Sequence, residues 1–319
     1  MTSSLNTREV KSGAVKAQSK RYLIAIIPAA FVLLANALSF AAPQEPTAAV
    51  APDLTATALP PAGTLNFPAG LAVDGLGQVY VANLGGGGIT VYSKSLKLVG
   101  TITENVYNPV AVSVAPSGLI YVANTAPGSY VNISVFRPSL QAVNSTYDPS
   151  LRNPIGMFVD GSGDVWVLDS AGTLHLYLED LTPSGTVDTS SATTVAQWGT
   201  SVSVWGCPDG WSRSNRIGWA LHKGLALSID SRSPRALGAA PDALGQEYLT
   251  VPSTNQVQIF TNPNSPEGVT VINTVTTGSF PYGIAVDSIN KRFYVSEPDA
   301  NLVAVYSTVA PYKLIGTIR

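Results

Sequence analysis

The sequence predicts an all-β chain folded as a β-propeller. Its first reading is six four-stranded blades, with five as the alternative, preceded by an N-terminal signal or anchor helix. Three observations lead there. A unit of roughly 40 residues recurs along the chain, as in propeller arrays. Each copy holds four short runs rich in Val, Ile, Leu, Tyr and Thr. Gly, Pro, Asn and Asp separate those runs, which is how strands joined by tight turns are written. One such sheet has two apolar faces and can hide neither alone, whereas a ring of sheets buries each face against a neighbour.

The order of elements begins with residues 1–42. Residues 1–21 are polar and carry Arg8, Lys11, Lys16, Lys20 and Arg21 against one acid, Glu9. An apolar run from Tyr22 to Ala42 follows, broken by Pro28, Asn36 and Ser39, and polarity returns at Pro43. A basic flank, an apolar core and small residues near Ser39-Phe40-Ala41 read as a secretory signal. The run also approaches the ~20 residues that cross a bilayer, so a retained anchor stays open, basic side inside. Residues 43–63, rich in Ala, Pro and Thr, read as a flexible tether. The propeller then occupies 64–319.

The repeat is clearest at its two ends. Pro68-Ala69-Gly70-Leu71-Ala72-Val73-Asp74, Val79-Tyr80-Val81-Ala82-Asn83, Ile89-Thr90-Val91-Tyr92 and Leu98-Val99-Gly100-Thr101-Ile102 make the first unit. Pro281-Tyr282-Gly283-Ile284-Ala285-Val286-Asp287, Phe293-Tyr294-Val295-Ser296-Glu297, Val303-Ala304-Val305-Tyr306 and Leu314-Ile315-Gly316-Thr317-Ile318 make the last. Further copies start at Pro109, Pro154 and Pro234. The steps between the five prolines are 41, 45, 80 and 47 residues. The long step predicts a degenerate unit with Ser201–Trp205 as its first strand, Trp219–His222 in its second and Leu225–Ile229 in its third. The five-bladed alternative treats about 190–222 as an insertion. Second-strand aromatics are expected in the core.

The Tyr80-Val81-Ala82-Asn83 and Tyr121-Val122-Ala123-Asn124 runs, with the Pro-x-Gly-[Leu/Ile]-Ala-Val-Asp openings, resemble bacterial NHL-repeat and YVTN-type propeller proteins. The resemblance covers 64–319 and departs from the pattern around 195–233. It implies secreted or envelope-associated propellers that act as binding scaffolds. Related propellers include lactonases and lyases with a central metal.

Composition removes several function classes. With 18 Lys+Arg against 20 Asp+Glu the chain offers no general field for nucleic acid, and no nucleic-acid partner is expected. A membrane is expected to meet the chain only through an uncleaved N-terminal segment. One cysteine, Cys207, excludes an internal disulfide and any multi-Cys metal site. Two histidines, His175 and His222, leave little for zinc. Gly85-Gly86-Gly87-Gly88 lacks the Lys-Ser/Thr of a phosphate loop and reads as a hairpin. Asp160-Gly161-Ser162-Gly163-Asp164 lacks the terminal Glu of a calcium loop and reads as a turn.

Candidate chemistry then gathers where second strands end. One position per blade gives Asn83, Asn124, Asp169, His222, Val251 and Glu297, facing the side on which propeller ligands meet the axial channel. Two readings of the polar five stand side by side. Strand-end Asn, Asp and Glu satisfy turn backbone groups, and the same residues could form a ligand-binding rim, with a divalent cation such as calcium as the one cofactor considered. Trp211, Arg213, Arg216 and Trp219 form a separate candidate partner contact, since Trp and Arg are enriched in binding hot spots. No catalytic residue is assigned. The expected function is a protein- or ligand-binding scaffold that is secreted, periplasmic or in the cell envelope. The alternative is a metal-assisted lactonase- or lyase-like enzyme.

Overall fold

The computed structural model describes residues 64–86, 88–125, 131–189, 236–260 and 270–319, with the backbone of three strands at 194–198, 201–205 and 226–230. The signal or anchor segment and the tether lie outside the described residues, as do Cys207, Trp211, Arg213, Arg216, Trp219 and His222. No helix among the described residues is long and apolar enough to cross a membrane.

Five four-stranded antiparallel sheets form the blades, each contiguous in sequence. Blade I contains β1 (Pro68–Val73), β2 (Val79–Asn83), β3 (Gly88–Tyr92) and β4 (Leu98–Ile102). Blade II contains β5 (Pro109–Val114), β6 (Ile120–Asn124), β7 (Ile133–Phe136) and β8 (Ala142–Thr146). Blade III contains β9 (Pro154–Val159), β10 (Val165–Asp169), β11 (Thr173–Tyr177) and β12 (Pro183–Asp188). A three-stranded sheet follows: β13 (Thr194–Trp198), β14 (Ser201–Trp205) and β15 (Ala226–Asp230). Blade IV contains β16 (Ala239–Pro241), β17 (Glu247–Val251), β18 (Gln256–Phe260) and β19 (Val271–Thr276). Blade V contains β20 (Ile284–Asp287), β21 (Arg292–Glu297), β22 (Leu302–Ser307) and β23 (Leu314–Ile318).

The six four-stranded blades of the first reading are therefore corrected to five. The stretch expected to supply a sixth forms the three-stranded sheet, with β13 packed beside β9 and β16. Ser201–Trp205 is its middle strand, not its first, and Ala226–Asp230 pairs with it in parallel. A parallel partner cannot be reached through a tight turn and needs a crossover of a dozen or more residues. The chain between, 206–225, holds four glycines and lacks the alternation of an antiparallel second strand. A smaller correction concerns blade IV. Pro241 pairs with Glu247 as Val73 pairs with Val79, so Ala236 occupies the place of Pro68 and the unit opens two residues after Pro234.

Second strands are buried along their whole length, save Arg292 at the start of β21, because each lies between two sheets and between two strands. Their Val, Leu and aromatic side chains suit that position, having no bare face to show to water. The aromatics are core, as expected, and in blades I to III their polar ends find partners. Trp166 Nε1 donates to Asp160 Oδ2 at 3.0 Å, and Tyr80 Oη donates to Asp74 Oδ2 at 3.2 Å. The same aspartates close the turn between first and second strands. Asp74 Oδ1 accepts from the backbone N–H of Leu76 at 2.9 Å and of Gln78 at 2.8 Å. Asp160 and Asp242 repeat the pattern. Strands β2 and β3 form a hairpin with Asn83 opposite Gly88, and Asp160–Asp164 is such a turn, as read.

The core consists of the seams between blades. Tyr80, Ala82, Ile89 and Val91 of blade I meet Val112, Ile120, Val122 and Phe136 of blade II. Tyr121, Ile133 and Val135 of blade II meet Met157, Val165 and Tyr177 of blade III. The ring is closed without sharing a strand: Leu71, Val79 and Val81 of blade I pack on Tyr294, Val303 and Val305 of blade V. Hydroxyls bridge two seams. Ser296 Oγ accepts from Gly283 N at 2.7 Å and donates to Ala69 O of blade I at 2.6 Å. Thr250 Oγ1 likewise accepts from Gly238 N at 2.8 Å and donates to Tyr282 O of blade V at 2.6 Å.

First strands approach one another most closely, around the axis. A Cβ on Gly70 would sit 2.6 Å from both Ala111 Cα and Val110 O of blade II, where backbone cannot yield cheaply. Gly70→Ala should therefore lower unfolding free energy by about 1–3 kcal/mol, as overpacking does. Gly75→Ala, with nothing within 4 Å of the added carbon, should stay within about 0.5 kcal/mol of the parent. Urea unfolding of the two variants checks this.

Candidate functional site

The loops joining second to third strands and those joining successive blades share one face. The candidate rim residues sit there, at the second-strand ends, and each described polar one is turned toward the blade connector that precedes it. Asn83 Oδ1 accepts from Asn66 N at 3.1 Å, and Asn124 Oδ1 from Tyr107 N at 3.0 Å. Asp169 Oδ2 accepts from Arg152 N at 3.3 Å. In all three the donor lies 17 residues upstream. Glu297 Oε1 does the same to Gly278 N at 2.9 Å, across 19 residues. The residue is thus a latch that fastens the incoming connector to the blade it enters. Val251 has no polar atom to offer and is simply buried. His222 lies outside the described residues.

A second polar side chain backs the latch from the third strand. Asn83 Nδ2 donates to Thr90 Oγ1 at 3.2 Å, and Asn124 Nδ2 to Ser134 Oγ at 2.9 Å. Blade III replaces amide and hydroxyl by carboxylate and imidazole: His175 Nε2 lies 3.2 Å from Asp169 Oδ2. Asp169 Oδ1 also accepts from Ala171 N and Thr173 N, both at 2.9 Å. His175 is 2% exposed, and its Nδ1 has no hydrogen-bond partner. Its ring stacks on Tyr177, whose hydroxyl donates to Asp148 Oδ2 at 2.8 Å. Sequence reasoning counted His175 but gave it no place. Its alignment with Thr90 and Ser134, one polar residue among apolar third-strand neighbours, was the available signal.

Electrostatics follow burial. Desolvation pushes the Glu297 carboxyl above the ordinary glutamate range, with the Gly278 N–H opposing it. Burial also raises Asp148, but hydrogen bonds from Ser150 and Tyr177 and the nearby His175 outweigh that and leave it below the usual value. The Tyr121 phenol is pushed up to about 12, by burial first and then by Glu179 and Asp180. Among the described residues, no three His, Cys, Asp or Glu side chains converge as a metal-binding group would require.

Beneath the latches, the first strands of all five blades line an axial cavity of about 60 Å³, with Gly70, Val110, Ile155, Leu237 and Tyr282 in its wall. Drug-sized ligands occupy roughly 300–1,000 Å³, so such a ligand would have to sit at the mouth. Aromatic side chains stand exposed near that mouth. Phe67 and Phe280, each preceding a unit-opening proline, are both 38% exposed, and so is Tyr107. Phe67 and Phe280 hold φ of 49°, in the left-handed region. Each is pinned by the preceding blade, Phe67 N donating to Asn301 Oδ1 at 2.8 Å and Phe280 N to Asn255 Oδ1 at 3.0 Å.

Comparison with known proteins adds the fold. No family model matches the chain, and no curated protein does. Solved structures do. A hydrazine synthase chain of Kuenenia stuttgartiensis aligns over 80% of this chain and 99% of its own, with 14% identity and a TM-score of 0.54. A streptogramin B lyase aligns over 82% and 84%, with 13% identity and a TM-score of 0.53. A catalytically inactive virginiamycin B lyase from Staphylococcus aureus, with quinupristin, aligns over 80% and 85%, with 12% identity and a TM-score of 0.52. What they share with this chain is the propeller fold.

Two outcomes follow from the latch. Asn83→Ala leaves the Asn66 N–H without its acceptor and should cost about 1–3 kcal/mol of stability in urea unfolding. Glu297 carries a raised folded pKa, so its contribution is complete below the ordinary glutamate value and is lost as pH rises through the folded value. Glu297→Gln should accordingly flatten the fall in Tm from about pH 4.5 toward neutrality, because the amide still accepts from Gly278 N.

Proposed function

We propose that the chain is an exported propeller that acts as a binding scaffold in the cell envelope or outside the cell, taking a protein or other ligand on its loop-rich face. The blade motifs that resemble bacterial NHL-repeat and YVTN-type propellers support that placement. One observation carries the binding reading. The residue before the unit-opening proline is Asn108 in blade II and Asn153 in blade III, with φ of 47° and 46°, and asparagine tolerates that conformation. Blades V and I hold a bulky phenylalanine in the same conformation, at an expense of about 1–3 kcal/mol each. An exposed aromatic retained against backbone strain is what a contact surface would need and the fold alone would not. Trp211, Arg213, Arg216 and Trp219 would extend such a surface.

A second reading is a metal-assisted lactonase- or lyase-like enzyme, favoured by the fold shared with two lyases. In it, Asn83, Asn124, Asp169, His222 and Glu297 would hold a divalent cation that polarises a carbonyl. The latch bonds weigh against it, since four of those side chains already serve backbone N–H groups.

Phe67→Asn with Phe280→Asn discriminates between the readings. The double variant should be as stable as the parent or more so. A photo-cross-linking residue at 107 should capture a partner in the parent and lose it in the variant, while one at Ser162 on the opposite face captures nothing. Stoichiometric calcium or transition metal in the purified chain, released on Asp169→Ala with the fold intact, would instead establish the enzyme.

A further inference from the structure

The opposite face, made of the turns within each blade, is uneven around the ring. At the tip of the turn between first and second strands, blade I carries Leu76, blade IV Leu244 and blade V Ile289, exposed to 78%, 82% and 77%. Blades II and III carry Ser117 and Ser162 at the same position. The three aliphatic tips belong to neighbouring blades, and contacts between the turns lace them into one arc. Ala243 N donates to Ser288 Oγ at 2.9 Å, joining blade IV to blade V. Gly77 lies so close to the Asn290 amide that an added Cβ would stand 2.7 Å from Nδ2, and Arg292 Nη1 donates to Lys94 O at 2.8 Å, joining blade V to blade I. Val309, exposed on the turn between the third and fourth strands of blade V, adds a further apolar tip.

Among the described residues of this arc, exposed charge has one sign. Lys94 and Lys97 of blade I and Lys291 and Lys313 of blade V are exposed. Of the carboxylates in the same turns, Asp287 is buried and Asp74 and Asp242 are half-buried, and all three accept hydrogen bonds from their own turns. The turns 74–78, 93–97, 242–246, 287–291 and 307–313 therefore show water four ammonium groups and no exposed carboxylate. Blade III offers the reverse, with exposed Glu179 and Asp180 on its outer turn. The chain as a whole is close to neutral, and these described turns are not.

We propose that the arc of blades IV, V and I docks on an anionic phospholipid surface, its aliphatic tips entering the headgroup–acyl boundary and its lysines meeting the lipid phosphates. Interfacial segments join buried apolar residues with surrounding Lys in this way. A protein partner fits less well, because lysine is depleted in protein–protein interfaces and the aliphatics here stand as separate tips instead of a flat patch. The surface lies on the face away from the latches and does not depend on the binding reading above.

Hydrogen exchange on the full, unmodified chain tests this with vesicles of phosphatidylcholine alone and of phosphatidylcholine with an equal share of phosphatidylglycerol. An N-terminal anchor would hold the chain to both, so the readout is local protection, not binding. Amides of 74–78, 242–246 and 287–291 should exchange several-fold more slowly on the anionic vesicles only, with 160–164 unchanged. Lys94→Glu with Lys291→Glu, both exposed substitutions, should abolish the difference, as should high salt. Equal exchange on both vesicles, or protection that survives the double charge reversal, would overturn the proposal. So would protection of these turns that needs added soluble protein and no lipid.

Discussion

The molecule depends on how closely the first strands of neighbouring blades approach at the axis. A blade buries a whole second strand on both faces only if its neighbours press against it, and the pressure is greatest where the wedges narrow. Gly70, Gly238 and Gly283 stand at that point, each against the backbone of the next blade. Where backbone meets backbone there is no side chain to fill the gap, so the remaining polar groups must be paired within the seam. Ser296 and Thr250 do this directly, each hydroxyl taking an N–H from its own blade and giving a proton to a carbonyl of the next. Seam burial of Tyr, Val and Ile supplies the stabilisation, and these hydroxyls keep it from being offset by stranded backbone dipoles.

The latch works one layer farther up. A blade connector is exposed backbone that must leave an outer strand, cross the blade and enter the axis at a fixed angle. Asn83, Asn124, Asp169 and Glu297 each fix it by one N–H, from buried positions where such a bond is worth most. The spacing is set by the route, which explains why three latches span 17 residues and why the longer glutamate serves the longer span of 19. The Asp169–His175 pair is a variation on this theme, with the imidazole standing where a threonine or serine hydroxyl stands in blades I and II.

Much of this was legible in the sequence, for a definable reason. Strand 2 of blades I, II and III reads as an unbroken apolar run ending in a polar residue, and both parts are dictated by the ring: burial on two faces, then a connector to hold. The first-turn Asp of blades I, III, IV and V was visible as punctuation, though the bonds of Asp74 and Asp160 to the second-strand aromatic were not. The segment 194–230 failed because Ser201-Val202-Ser203-Val204 alternates like a first strand but pairs as a middle one, and period alone cannot tell an inner strand from its neighbour. Pro234 misled by two residues because proline is a turn signal as well as a unit opener. His175 was missed since a lone histidine in an apolar strand carries no motif. The strand-end positions Asn83, Asn124, Asp169 and Glu297 were visible as a set, yet the sequence could not say which way the side chains turned.

Repetition offers a way past that limit. Blades built on one plan act as internal controls: what a position requires for folding can be read from the blades that meet the requirement most simply. Asn108 and Asn153 show that the residue before the opening proline needs only tolerance of a left-handed backbone, so Phe67 and Phe280 exceed the need. Ser117 and Ser162 show that the first-turn tip needs only a small polar residue in water, so Leu76, Leu244 and Ile289 exceed it on the other face. Departures of this kind carry an expense in strain or in exposed apolar surface, and they do so in adjacent blades, IV, V and I, not at random around the ring. A folding requirement would fall on every blade alike. Among the described residues the surplus falls in one sector and on both of its faces, which is what the proposed ligand face and the proposed lipid-facing arc each need.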